Sequence, residues 1–199
     1  AVQAPSQIAF TVKVHGKASH AGFAPQDGVH AIRIAAAAIA EMAIGRIGDD
    51  TTVNVGQIEG GRASNIVPDY CEVSGELRSF SHEKALEELA KVEQIFAKEA
   101  EKRGGSIEFI RDICYQAYKT DEKESVVKEF QKACTACGIK SSLIATFGGS
   151  DQNKMSEHGI PGIVMASAMH QVHSCQEYTE VSEMAQVAGI VSELLQMKE

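Results

Sequence analysis

The pattern that most narrows the possible folds is the alternation of Cys71, Val73, Gly75 and Leu77 with Glu72, Ser74, Glu76 and Arg78. One face is apolar and the other polar, which describes a strand of an antiparallel sheet buried on one side. Ile8, Phe10, Val12 and Val14 repeat the pattern upstream, Val53 and Val55 mark a strand from Thr51 to Ile58, and Ile107, Phe109 and Ile113 mark a fourth. Two stretches of helical spacing separate them. One starts near Pro25 or Gly28, aligns Ile32, Ala35, Ile39 and Met42, and stops at Gly45 and Gly48. The other has Ser81 as N-cap and Glu83 in its first turn, aligns Leu86, Leu89, Val92 and Phe96, and stops at Gly104 and Gly105. The order βαββαβ over residues 7–116 predicts a ferredoxin-like α+β domain, one antiparallel sheet with two helices on one face.

Beyond a polar stretch from Thr120 to Glu124, residues 117–199 read helix, strand, helix, strand, helix. Val126, Phe130, Cys134 and Cys137 share one helix, Leu143 to Thr146 and the apolar run Ile160 to Ala166 are the expected strands, and a short helix follows Ser150. A last helix from about Ser182 would bury Val187, Val191 and Leu194. Such alternation argues for a mostly parallel sheet with helices outside. Two strands are too few for that architecture, so the expectation is part of an α/β domain whose other strands lie elsewhere in a longer protein.

Composition excludes several classes. With 44% hydrophobic residues in 199, the chain can bury a core. No apolar run approaches the roughly 18 residues that span a bilayer, and no charged-then-apolar leader opens the sequence. A net charge of -8 with interspersed acids and bases, and no basic stripe with aromatics, speaks against nucleic acid and for an ordinary surface. Five cysteines without regular spacing suit a reducing compartment, so a cytoplasmic location is expected.

Three stretches offer chemistry. Val14 to Gly28 is a glycine- and proline-punctuated turn between strand and helix, with His20 at its middle. A loop histidine there can act on a substrate or simply hydrogen-bond within its own turn. Gly148, Gly149, Ser150 and Asp151 leave a predicted strand and open a helix, where α/β folds bind ligands and free N–H groups favour a carboxylate; they also suit a plain capped turn. Met169 to Tyr178 brings His170, His173, Cys175 and Glu177 to the end of the next strand, where a carboxylate could orient a metal-binding imidazole. Two loop histidines fall short of the three or four protein ligands that zinc takes. Cys134 and Cys137 lie on an apolar stripe and read as buried small hydrophobes, and Glu87-Glu88 as a solvated face. Asn65, before Pro68, and Arg78, at a strand exit, read as a turn former and a solvated charge.

Six segments in order then match one family: Gly16-Lys-Ala-Ser-His-Ala-Gly22 with Pro25 and Gly28, Asn65-Ile-Val-Pro68, Gly75-Glu-Leu-Arg78, Gly148-Gly-Ser-Asp151, His158-Gly-Ile-Pro161, and His173 with Ser174 and Glu177. The chain resembles the di-zinc exopeptidases, the family of peptidase T, glutamate carboxypeptidase and the acylamino-acid deacylases. The resemblance implies a ferredoxin-like lid inserted in a zinc-peptidase α/β domain, homodimerisation through the lid, and small peptides as substrates. It assigns His173 as a metal ligand and His20 as the lid histidine that reaches the partner subunit's site to stabilise an oxyanion. Asn65, Arg78, Gly148 and Gly149 become contacts for the substrate. His170 is not part of the pattern.

The family's other metal ligands and its general base have no equivalent here, because they belong to the first half of the catalytic domain. The expectation is a fragment with the lid and the C-terminal part of the catalytic domain, inactive by itself and partnered by the missing N-terminal half. The alternatives are a deacylase or carboxypeptidase of the same family and, from another class, a non-enzymatic dimerisation or ligand-binding module.

Overall fold

The structure, a computed structural model, describes residues 1–197; residues 198 and 199, the end of the expected second domain, lie outside the described residues. Its elements are β1 (Gln3–Ala4), β2 (Ser6–His15), α1 (Ala31–Glu41), β3 (Gly45–Ile47), β4 (Thr51–Gly60), β5 (Tyr70–Ser79), α2 (His82–Lys102), β6 (Ser106–Tyr115), β7 (Tyr118–Lys119), α3 (Ser125–Ala136), α4 (Asp151–Glu157), β8 (Met169–His170), β9 (Tyr178–Thr179) and α5 (Val181–Gln196). They form two units, Pro5–Ala117 and a second made of Ala1–Ala4 with Tyr118 onward. None of the described helices is long and apolar enough to cross a membrane.

The first unit is a mixed α/β fold with an antiparallel sheet in the order β3-β4-β5-β2-β6. β2 lies between β5 and β6, with Ser6 opposite Ser79 and His15 opposite Tyr70. Both crossovers step over one antiparallel strand, the split βαβ arrangement expected from the sequence. The fifth strand corrects that expectation. Gly45 adopts φ 94° but does not end the helix; α1 stops at Glu41, and Gly45–Ile47 pairs with Thr51–Val53 at the sheet edge.

α1 and α2 cover one face. Ile8, Phe10, Val12 and Val14 of β2 and Cys71, Val73 and Leu77 of β5 meet Ile34, Ala35 and Ala38 of α1 and Leu89, Val92 and Phe96 of α2. The alanines let α1 approach the sheet closely. Two helical stripes are rotated from expectation. Ala31, Ile34, Ala35 and Ala38 are the fully buried side of α1, whereas Ile32 and Ile39 are partly buried, and Ala85 replaces Leu86, which is exposed. Ser81 caps α2 as expected, its Oγ accepting from Lys84 N at 3.2 Å.

In the second unit α3 and α5 pack through Ala133, Cys134 and Ile190, flanked by Phe130, Cys137 and Leu194. Val191 is exposed and Val127, not Val126, is buried, so both stripes shift by a position. The expected strands Leu143–Thr146 and Ile160–Ala166 do not form ladders. Their partner is Ala1–Ala4: Gln3 makes a parallel bridge to Ala145, Val2 N donates to Ile144 O at 2.9 Å, and Val164 N donates to Ala1 O at 3.0 Å. Of the expected mostly parallel sheet, the described residues show these bridges, beside two short antiparallel pairs, β1 with β7 and β8 with β9. A cleft of about 690 Å³ lined by Val2, Phe130, Ile144, Met165 and Ile190 lies beside them.

Two positions test this packing. Gly75 faces Phe10 across β2 and β5, and a Cβ there would sit 2.3 Å from Asn54 O and 2.4 Å from the Phe10 ring. Gly75→Ala is expected to destabilise the fold by about 1–3 kcal/mol through overpacking, read as a lower chemical-denaturation midpoint. Glu99 is buried in α2 against Arg103 and Lys102. Burial alone would push its carboxyl up, but the hydrogen bonds and charges of Arg103 and Lys102 outweigh it and hold it below the ordinary value. A lowered folded pKa contributes stability above the ordinary carboxylate range and loses it as pH falls through the folded value. Glu99→Gln should therefore lower Tm at neutral pH, and the gap to the parent should close on acidification.

Candidate functional site

The loop from β2 to α1 is shaped by backbone contact. Lys17 and Val29 exchange two hydrogen bonds of 2.9 Å, and Gly16 lies so close beneath that a Cβ would meet Val29 O at 2.0 Å. Further along, Ala21 N donates to Asn65 O at 3.0 Å and Val67 N to Ser19 O at 2.9 Å. The Asn65-to-Pro68 loop is thus laced to the His20 loop, and the structure brings these two predicted residues together.

His20 is exposed, and its Nδ1 accepts from Gly22 N at 3.1 Å and Phe23 N at 3.3 Å. A ring nitrogen that accepts carries no proton, so in the neutral imidazole the hydrogen is on Nε2, available as a donor. The ring stacks on Phe23 with centroids 4.3 Å apart. Phe23 is 86% exposed, and sequence reasoning missed it; an aromatic inside a glycine- and proline-rich turn was the available signal.

Arg78 lies elsewhere. It projects from the helix-free face of β5, with Nε donating to Glu76 Oε1 at 2.9 Å and Nη2 to Glu76 Oε2 at 3.2 Å. The Glu76 carboxylate, which also accepts from Gln7 Nε2, raises the Arg78 pKa further. His20 and Asn65 flank the end of the sheet where His15 meets Tyr70, whereas Arg78 is beside Ser79 at the other end. Arg78 lies eight residue steps along β5 from Tyr70, roughly 27 Å.

In the second unit Gly148 and Gly149 are exposed, and Gly148 N donates to Thr146 Oγ1 at 3.1 Å. α4 follows with seven residues, its start closed by Asn153 Oδ1 accepting from Ser150 N at 3.1 Å. His173 is exposed at φ 65°. Glu177, the carboxylate available in this loop to orient an imidazole, holds backbone: its Oε2 accepts from the His173 N at 2.7 Å. His170 instead meets a carboxylate, Glu183, and stacks on Tyr178. Among the described residues no group of three His, Cys, Asp or Glu side chains could hold a metal ion. The five cysteines are free, and burial pushes the Cys134 thiol up, which keeps it protonated and unreactive.

Residues 5–104 match the peptidase dimerisation domain of the M20 peptidases. The chain is 35% identical over 195 residues to the uncharacterized protein YqjE of Bacillus subtilis (strain 168), covering 98% of this chain and 53% of that protein. Two solved structures are similar across 98% of the chain. Aminopeptidase PepT from Bacillus cereus ATCC 10987 has a TM-score of 0.86 and 36% identity, with 54% of its chain covered. A tripeptidase from Staphylococcus aureus subsp. aureus mu50 has a TM-score of 0.93 and 32% identity, with 52% covered. The chain therefore spans about half the length of the relatives it matches.

The His20 geometry has a direct spectroscopic consequence. Long-range ¹⁵N–¹H NMR of the neutral imidazole is expected to show the Nε2–H tautomer, and an Nδ1–H pattern would contradict the two backbone contacts.

Proposed function

Because the chain belongs to the M20 peptidase dimerisation domain family, we propose that it is the lid and the C-terminal catalytic portion of a zinc-dependent, cytoplasmic exopeptidase that removes residues from small peptides, tripeptides foremost. The observation that carries this reading is the His20 side chain. Its Nδ1 is occupied by two backbone donors, which leaves Nε2–H free on an exposed loop to stabilise the oxyanion of a peptide under attack. The likeness to an aminopeptidase and a tripeptidase over nearly the whole chain supports the substrate class.

Roles follow for the other residues. Asn65 beside His20, Arg78, and the exposed Gly148 and Gly149 hold the substrate, and His173 is a metal ligand. The zinc that the resemblance implies does not fit the described residues alone, since they offer no three-ligand group and zinc takes three or four. The remaining donors come from the missing N-terminal half of the catalytic domain, and the isolated chain is inactive.

Within one lid Arg78 and His20 lie too far apart for one small peptide. In a homodimer each site takes Arg78 from its own lid and His20 with Asn65 from the partner lid. A longer protein that includes the upstream coding sequence is expected to hydrolyse tripeptides with zinc, and His20→Ala in it to lower kcat by about 10²–10³-fold with little change in KM. His20→Ala and Arg78→Ala dimers, each impaired, should regain activity on subunit exchange, because one site of the heterodimer keeps both residues. Lack of recovery despite exchange would sink the shared site. Zinc-dependent tripeptide turnover by the 199 residues alone would overturn the predicted inactivity.

A further inference from the structure

We propose that His170 is a positioning residue, which clamps the loop carrying His173 to helix α5. The inference rests on the reading of His173 as a working residue, but the contacts that carry it are independent of any metal. His170 Nε2 lies 2.6 Å from Glu183 Oε2. An ionised carboxylate only accepts, so Nε2 carries the hydrogen and donates in a charge-assisted bond. Glu183 sits in the first turn of α5, the helix that packs on α3 through Ile190. The contact therefore ties the loop to an anchored element.

A second contact closes the other side. The His170 imidazole stacks on Tyr178 with centroids 4.8 Å apart and planes at 15°, and the same two residues face each other across β8 and β9. Thr179 Oγ1 donates to Ala168 O at 2.6 Å, which fastens the base of the hairpin. Everything between residues 170 and 178 is exposed.

The enclosed loop needs holding. Gln171 and His173 adopt φ of 51° and 65°, the left-handed region that L side chains avoid. Inside the loop the bonds are local: Ser174 Oγ donates to Gln171 O at 2.7 Å, Glu177 N to Ser174 O at 3.1 Å, and His173 N to Glu177 Oε2 at 2.7 Å. With its ends fixed by His170 and Tyr178, the loop keeps His173 in one backbone conformation before any ligand arrives.

A half-exposed polar contact contributes little to global stability, so the clamp is read locally by amide hydrogen exchange on the 199-residue chain. In His170→Ala and in Glu183→Gln the amides of His173, Ser174 and Glu177 should exchange at least about fivefold faster, with those of β2 and α3 unchanged. The double variant should be no faster than His170→Ala alone, because that substitution already removes the contact with Glu183 along with the Tyr178 stack. Unchanged loop exchange in both single variants overturns the clamp, whatever happens to peptide hydrolysis. Faster loop exchange combined with unaltered hydrolysis by the longer protein upholds the clamp and counts instead against His173 as a working residue. Core exchange in β2 and α3 identifies a variant that has simply lost its fold, and Glu183→Gln, at a half-exposed position, then carries the test.

Discussion

Strand β2 is hydrogen-bonded on both sides over nearly its whole length, to β5 and to β6, and the first unit depends on that double pairing. Its inward side chains Ile8, Phe10, Val12 and Val14 are all at 2% exposure or less, so a slip of one residue would turn the entire core face to water. Register is pinned further by Gly75, the one residue type that leaves room for the Phe10 ring opposite it. With β2 fixed, its exit after His15 is fixed too. The His20 loop starts from a rigid edge and is laced at once to the Asn65 loop, which enters β5 beside it. A side chain that acts by offering one N–H needs this support, because the direction of its donor is set by the backbone that binds its other nitrogen.

The same strand geometry separates what the sequence places on one surface. Arg78 and His20 both lie outside the helix-covered core, yet the length of β5 lies between them. Arg78 is held in place by Glu76, and Glu76 by Gln7 on the neighbouring strand, so its position is as much a product of the sheet as that of His20. This separation is what the proposed sharing of Arg78 and His20 between two subunits requires.

Much of the first unit was legible because period-two alternation reports burial directly. Cys71, Val73 and Leu77 point inward as their spacing demands, and Ser81 caps its helix as its position demands. Helical stripes were legible less sharply: Ala85 and Leu86 differ by one position, and the smaller side chain is the buried one because α2 lies close on the sheet. β3 escaped notice because Gly45-Arg-Ile47 is too short to show a period. In the second unit Leu143–Thr146 and Ile160–Ala166 look like strands by composition, but a strand exists through its neighbours, and only Ala1–Ala4 pairs with them among the described residues. The sequence marks His20 and His173 as loop histidines, and both are exposed. Which nitrogen of His20 is free, and which carboxylate holds which histidine, depend on contacts across two to thirteen residues that spacing does not encode.

Among the described residues, left-handed backbone outside glycine occurs in the second unit and not in the first. In the first, left-handed backbone falls on Gly45, Gly48, Gly61 and Gly104, where it costs almost nothing in steric terms. In the second, Ala168, Gln171 and His173 carry φ of 62°, 51° and 65° within six residues, each at a cost of about 1 kcal/mol or more. Glycine at these places would relieve the strain, but it would also remove the imidazole at 173 and loosen the loop on either side of it. A strained conformation persists only where its surroundings over-determine it. Here the hairpin bond of Thr179, the hold of Glu177 on the His173 backbone and the contact of His170 with α5 supply that determination around the His173 backbone, while its imidazole stays exposed.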